Sequence, residues 1–98
     1  MAPALASWIE RFLDHLRVER QLSPHTLNNY RLHLQELGLL AQQLGLVQWS
    51  ELKAPLVRAL VVRLHRGGKL SARSIATKMS SLRSFCDAVG EQVHLTNE

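Results

Sequence analysis

Apolar residues return at every third or fourth position in four stretches of this chain, and nowhere do they alternate with polar ones as a half-buried strand requires. The first stripe is Trp8, Ile9, Phe12, Leu13 and Leu16. Ser7 and Glu10 stand at capping-box spacing, and Arg17 and Arg20 suit the negative end of a helix dipole. A helix is therefore predicted over about residues 5–20. The second stripe is Leu27, Tyr30, Leu34, Leu37, Ala41 and Leu44, with Gly45 as its stop. Gly38 lies inside it at a cost of about 1 kcal/mol relative to Ala, which points to a bend or a close contact.

Leu56, Val57, Leu60, Val61 and Leu64 form the third stripe, from Pro55 in a favourable first turn to Arg66, with Gly67 and Gly68 ending it. Arg58, His65 and Arg66 fall on its outer side. The fourth runs from Ala72 to Val89, with Ile75, Met79, Leu82, Cys86 and Val89 inward and Gly90 as a stop. The pattern predicts an all-α fold, a compact four-helix bundle.

Two helix starts share an opening: residues 22–31 read LSPHTLNNYR and residues 70–79 read LSARSIATKM. Ser23 and Ser71 are placed to cap exposed N–H groups, while Leu22 with Leu27 and Leu70 with Ile75 have staple spacing. Capping alone accounts for the similarity, which is too short to establish a duplication.

A length of 98 residues provides one core and is too short for two. No apolar run reaches the roughly 18 residues that span a bilayer, and the N-terminus lacks an export pattern, so a cytoplasmic location is expected. Cys86 is the only cysteine and the five histidines are scattered. No metal or cofactor is expected, and a cysteine on an apolar stripe is expected to be buried rather than reactive. Charge changes the picture more. Residues 1–50 balance four Arg against four acids, whereas Lys53 to Arg83 holds eight Lys or Arg and no Asp or Glu. That asymmetry fits either a polyanion partner or a merely solvated basic surface.

At 100° per residue, the fourth stripe leaves Arg73, Thr77, Ser80 and Ser84 opposite its apolar side, with Lys78 and Arg83 at the margins. His25, Asn28 and Asn29 similarly lie away from the second stripe. Ser and Thr reach phosphates, while Arg and Asn can bond guanine and adenine edges. The two starts are expected to point together into one groove of duplex DNA.

The segments FLDHLRVERQLSPHTLNNYRLHL and LSARSIATKMSSLRSFCDAV resemble the N-terminal core-binding, SAM-like domain of tyrosine site-specific recombinases. Within that family the wording is nearest the XerC/XerD branch, which resolves bacterial chromosome dimers, and RVERQLSPHTLNNY favours XerC. The resemblance covers almost the whole chain. It implies a helical module forming half of a clamp on duplex DNA, with contacts by His25, Thr26, Asn28, Asn29, Arg73, Ser74, Thr77 and Lys78. Tyr30 would be a packing residue. The family's catalytic Arg/Lys/His set and nucleophilic tyrosine belong to another domain, so no enzyme activity is expected of this chain itself. Residues 1–90 would be the core-binding domain and 91–98 the start of a linker to a catalytic domain absent here. The implied partners are a recombination site and a second, XerD-like recombinase in a DNA-bound tetramer. Trp8 and Phe12 are candidate contacts to neighbouring subunits, or core residues, and Trp49 is equally open. A phage or transposon integrase domain, or a helical protein-interaction adaptor, are the alternatives.

Overall fold

A computed structural model describes the backbone of residues 1–97 and the side chains of residues 1–89. Four helices follow one another: α1 (Pro3–Glu19), α2 (Pro24–Gln43), α3 (Ala54–Arg66) and α4 (Ala72–Asn97), with a 3-10 turn at Trp49–Glu51 before α3. No strand occurs among the described residues.

Two helix limits differ from the sequence expectation. α1 starts at Pro3, so Ser7 lies inside the helix and the Ser7/Glu10 capping box does not form. A proline in the first turn needs no N–H partner and has its φ already set. The Ala2 carbonyl accepts from the Leu5 and Ala6 amides at 3.0 and 3.1 Å, and the Ala2 amide donates to Gln42 Oε1 at 2.8 Å, tying the start of α1 to the end of α2. At the other end, Gly90 does not stop α4, which continues to Asn97. A lone interior glycine costs a helix only about 1 kcal/mol, and Glu91 and Gln92 beyond it are good helix formers.

Gly45 does end α2. With φ at 105°, it lets its own amide reach the Gln42 carbonyl while the Leu46 amide reaches that of Ala41, both at 3.0 Å. This is a Schellman closure, and it turns Leu46 into the core. The short connection is then fixed by Glu51, whose carboxylate accepts from the Val47 and Gln48 amides at 3.1 and 3.0 Å.

The core takes Leu5, Ile9, Phe12, Leu13 and Leu16 from α1, Leu34, Leu37 and Ala41 from α2, Leu60 from α3, and Leu82, Phe85 and Val89 from α4. Each large side chain fully buried contributes roughly 1.5–3 kcal/mol. Four aromatic rings meet edge to face in series: Tyr30 on Phe12 at 5.9 Å, Phe12 on Phe85 at 5.4 Å, and Phe85 on Trp49 at 4.7 Å. The buried Trp49 indole donates to the Leu5 carbonyl at 2.9 Å, so its polar edge is satisfied. Phe12 and Trp49 are thereby core residues and not contacts for a neighbouring subunit; Trp8 is half-buried, with the Arg11 guanidinium 5.0 Å from its ring centre. In α3 only Leu60 is fully buried; Leu56 and Leu64 pack against the core from partly exposed positions.

Gly38 supplies a close contact: a Cβ there would lie 3.5 Å from the Trp49 ring and 2.6 Å from Met1 Sδ. The first distance is ordinary van der Waals contact, and the second involves the far end of a flexible side chain. Gly38→Ala should therefore raise the unfolding midpoint slightly, by up to about 1 kcal/mol of helix propensity. Gly38→Leu should lower stability by about 1–3 kcal/mol through overpacking against Trp49. Urea unfolding followed by circular dichroism measures both, and equal losses would contradict this geometry.

Across α1 and α2, Arg31 grips Glu10 with two parallel bonds, Nε to Oε2 at 3.0 Å and Nη2 to Oε1 at 2.9 Å. The hydrogen bond and charge of Arg31 hold the Glu10 carboxyl below its ordinary value despite slight desolvation. A carboxyl lowered in the folded state stabilises at neutral pH, and that contribution disappears as pH falls through the folded value. Glu10→Gln should cost no more than about 1 kcal/mol at pH 7 because the pair is solvent-exposed. The difference from the parent should vanish in urea titrations at pH values below the ordinary carboxylate range.

Candidate nucleic-acid interface

The repeated Leu-Ser opening has one hydrogen-bond design. Ser23 Oγ accepts from the Thr26 amide at 3.2 Å, and Ser71 Oγ accepts from the Ser74 amide at 3.1 Å. In both, a second hydroxyl stands three residues on: Ser23 and Thr26 oxygens are 3.0 Å apart, and Ser71 donates to Ser74 Oγ at 3.2 Å. Because Ser74 accepts, its own hydrogen stays available to an incoming oxygen. Thr77 instead turns its hydroxyl back onto the Arg73 carbonyl at 3.0 Å. The staples differ. Leu22 and Leu27 both pack against the core, whereas Ile75 is buried and Leu70 is left exposed.

His25, Asn28 and Asn29 are exposed on the first turns of α2 with Thr26 half-buried, and Arg73, Ser74 and Thr77 are exposed on α4. The two helix starts do not converge on one groove as expected. His33 Nδ1 meets Ser81 Oγ at 3.2 Å, and Glu36 pairs with Lys78. These ties advance along α2 while receding along α4, so the helices run in opposed directions where they touch. The middle of α2 lies beside Lys78 and Ser81, and the start of α4 faces His33 across an open space. A groove of about 320 Å³ there is lined by His33, Leu70, Arg73, Ser74, Thr77 and Lys78. One face of α2 links the two starts, because at 100° per residue His25, Asn29, His33 and Glu36 fall within about 80° of one another.

Lys78 is placed differently from its fellow site residues. Its side chain is only 8% exposed and its ammonium is committed to Glu36, whose side chain is 59% exposed. Its stem lies buried along the seam while the charge reaches an outward carboxylate. Of the eight cations between Lys53 and Arg83, the other seven have no ion-pair partner among the described residues. Arg17, in contrast, is paired with Asp14 at 2.6 Å. Arg73, Ala76, Thr77, Ser80 and Arg83 are all exposed along α4, making an outward face that is basic at its edges and small at its centre.

His33, Glu36 and Ser81 were not singled out by the sequence reasoning. The available signal was spacing: His33 is four residues beyond Asn29 and Glu36 seven, on the face already chosen. Ser81 lies on the inner margin of α4, where periodicity alone assigns no partner. Burial and the Lys78 ammonium hold the His33 imidazole below its ordinary value, with Glu36 acting in the opposite direction. Cys86 is half-buried, and desolvation, followed by the charge of Asp87, pushes its thiol up to about 11, so it stays protonated and unreactive at neutral pH. No group of three or more His, Cys, Asp or Glu side chains is placed to hold a metal among the described residues, and none of their helices is long and apolar enough to cross a membrane.

A four-helix domain with two serine-capped starts flanking a basic face matches one family model, the phage integrase N-terminal SAM-like domain, over residues 9–90. The chain belongs to that family. Among curated proteins it is similar to the tyrosine recombinase XerC of Serratia marcescens, 47% identical over 87 residues, which are 89% of this chain and 28% of that protein. It is 48% identical to XerC of Yersinia pestis over 84% of this chain and 27% of that protein. For XerC of Salmonella typhi the identity is 45% over 94% and 30%. The chain thus spans under a third of the length of the relatives it matches. No solved structure matches it.

The seam makes an asymmetric prediction. Glu36→Ala leaves the buried Lys78 ammonium without its acceptor and should cost about 1–3 kcal/mol. Lys78→Met keeps the buried stem, removes the charge and should stay within about 1 kcal/mol of the parent. Urea midpoints decide between them, and the reverse order would show that Lys78 is not desolvated.

Proposed function

We propose that this chain is the DNA-holding N-terminal module of a XerC-type tyrosine recombinase, engaging one side of a duplex recombination site through α2 and α4. The observation that carries this reading is the outward face of α4, where Arg73 and Arg83 flank small residues and no acid intervenes. Family membership and the XerC relatives support it. His25, Thr26, Asn28 and Asn29 would follow phosphates or base edges from α2, and Arg73, Ser74 and Thr77 would do so from α4. Lys78 would join them by exchanging Glu36 for a phosphate oxygen. Residues 1–90 then form the binding domain. The residues beyond would lead towards a catalytic domain that breaks and rejoins DNA and that would carry the nucleophile and the catalytic set. The wider role proposed is chromosome dimer resolution in the cytoplasm, in a tetramer with a second, XerD-like recombinase.

Phosphate contacts release counterions, so duplex affinity should fall steeply with salt. Arg73→Ala should weaken binding to a labelled duplex more than Arg17→Ala, because Arg17 is already paired with Asp14 and Arg73 is exposed on the proposed face. Losing one phosphate contact should also reduce the slope of log affinity against log salt by about 1. Salt-independent affinity, or equal effects of the two substitutions, would contradict the assignment.

A further inference from the structure

We propose that His33 is a further DNA-backbone contact, and that its imidazole takes up a proton when a phosphate of the duplex enters the groove between α2 and α4. This rests on the reading of the chain as a duplex-binding module. The groove has one wall from each helix, His33 on α2 and Arg73, Ser74, Thr77 and Lys78 on α4. Its chemistry suits an oxyanion: a guanidinium, an ammonium, and the Ser74 hydroxyl whose hydrogen is uncommitted.

Ser81 joins the ring to the backbone of α4. Ser81 Oγ donates to the Thr77 carbonyl at 3.2 Å. With its single hydrogen on Thr77, Ser81 Oγ accepts from His33 Nδ1, 3.2 Å away, in the tautomer that carries the ring proton on Nδ1. In the neutral ring the remaining nitrogen, Nε2, carries a lone pair and opposes a phosphate oxygen. Protonation converts it to a donor while Nδ1 keeps its bond to Ser81. A phosphate at Nε2 and a proton on Nε2 therefore favour each other.

The charged groups facing His33 decide its state without DNA. Lys78 and Arg73 line the groove from α4 and Glu36 stands on α2, while no residue of α1 or α3 lines it. Burial and the Lys78 ammonium favour the neutral ring more than Glu36 opposes this. An entering phosphate reverses the balance, by adding negative charge at Nε2 and by drawing on Lys78. Proton uptake on binding makes affinity rise as pH falls through the window between the bound and free midpoints.

The test compares the 98-residue protein with His33→Gln, which retains an amide donor, against a labelled duplex at pH 6.0 and 7.5 and constant salt. The gain in affinity at the lower pH should be about three- to tenfold larger for the parent than for the variant, one proton being worth at most about tenfold per pH unit. The two proteins differ only at position 33. If the variant unfolds, the imidazole resonances of the parent decide: the His33 midpoint should move upward on adding duplex. Salt-sensitive binding with an unmoved His33 midpoint, or with the same pH gain in both proteins, overturns this inference and leaves the DNA-binding reading standing. Absence of salt-sensitive duplex binding at either pH overturns both.

Discussion

The edge-to-face series of Tyr30, Phe12, Phe85 and Trp49 is the contact on which the rest of the arrangement depends. It joins α2 to α1, α1 to α4, and α4 to the turn that launches α3. Aromatic pairs of this geometry contribute about 0.5–1.5 kcal/mol beyond the area they bury, and they also fix direction, since an edge must meet a face. The Trp49 bond to the Leu5 carbonyl locks the last ring in rotation as well as position. With those rings set, α4 has one way to lie, and its polar side is turned outward by exclusion.

Much of this was legible in the amino-acid pattern. Three-four spacing located all four helices, and the Gly45 stop and both serine caps act as their residue types suggest. The failures have local causes. Pro3 outcompetes the Ser7/Glu10 box because it needs no partner for an amide it lacks. Gly90 carries no obligation to stop a helix when good formers follow. Phe85 escaped because the inward set chosen for α4 put Leu82 and Cys86 on the stripe, and only the neighbouring rings of Phe12 and Trp49 show that the core reaches around to position 85.

The candidate site was legible in part, for a different reason. Side chains aimed outward depend on their own helix alone, and His25, Asn28, Asn29, Arg73, Ser74 and Thr77 are indeed at or near the surface. Lys78 depends on a second helix. Its exposure is set by Glu36, 42 positions away, and no periodicity within α4 encodes that. The same holds for the opposed directions of α2 and α4, which appear only when His33 with Ser81 and Glu36 with Lys78 are considered together.

The small residues at the centre of the outward face of α4 carry one more implication for a duplex resting there. Ala76 and Ser80 are exposed and short, so under the proposed reading the helix barrel itself would settle toward the floor of the groove. Such a fit would sense how wide and how pliable the duplex is before base identity, and a site whose shape is kept could then vary in sequence.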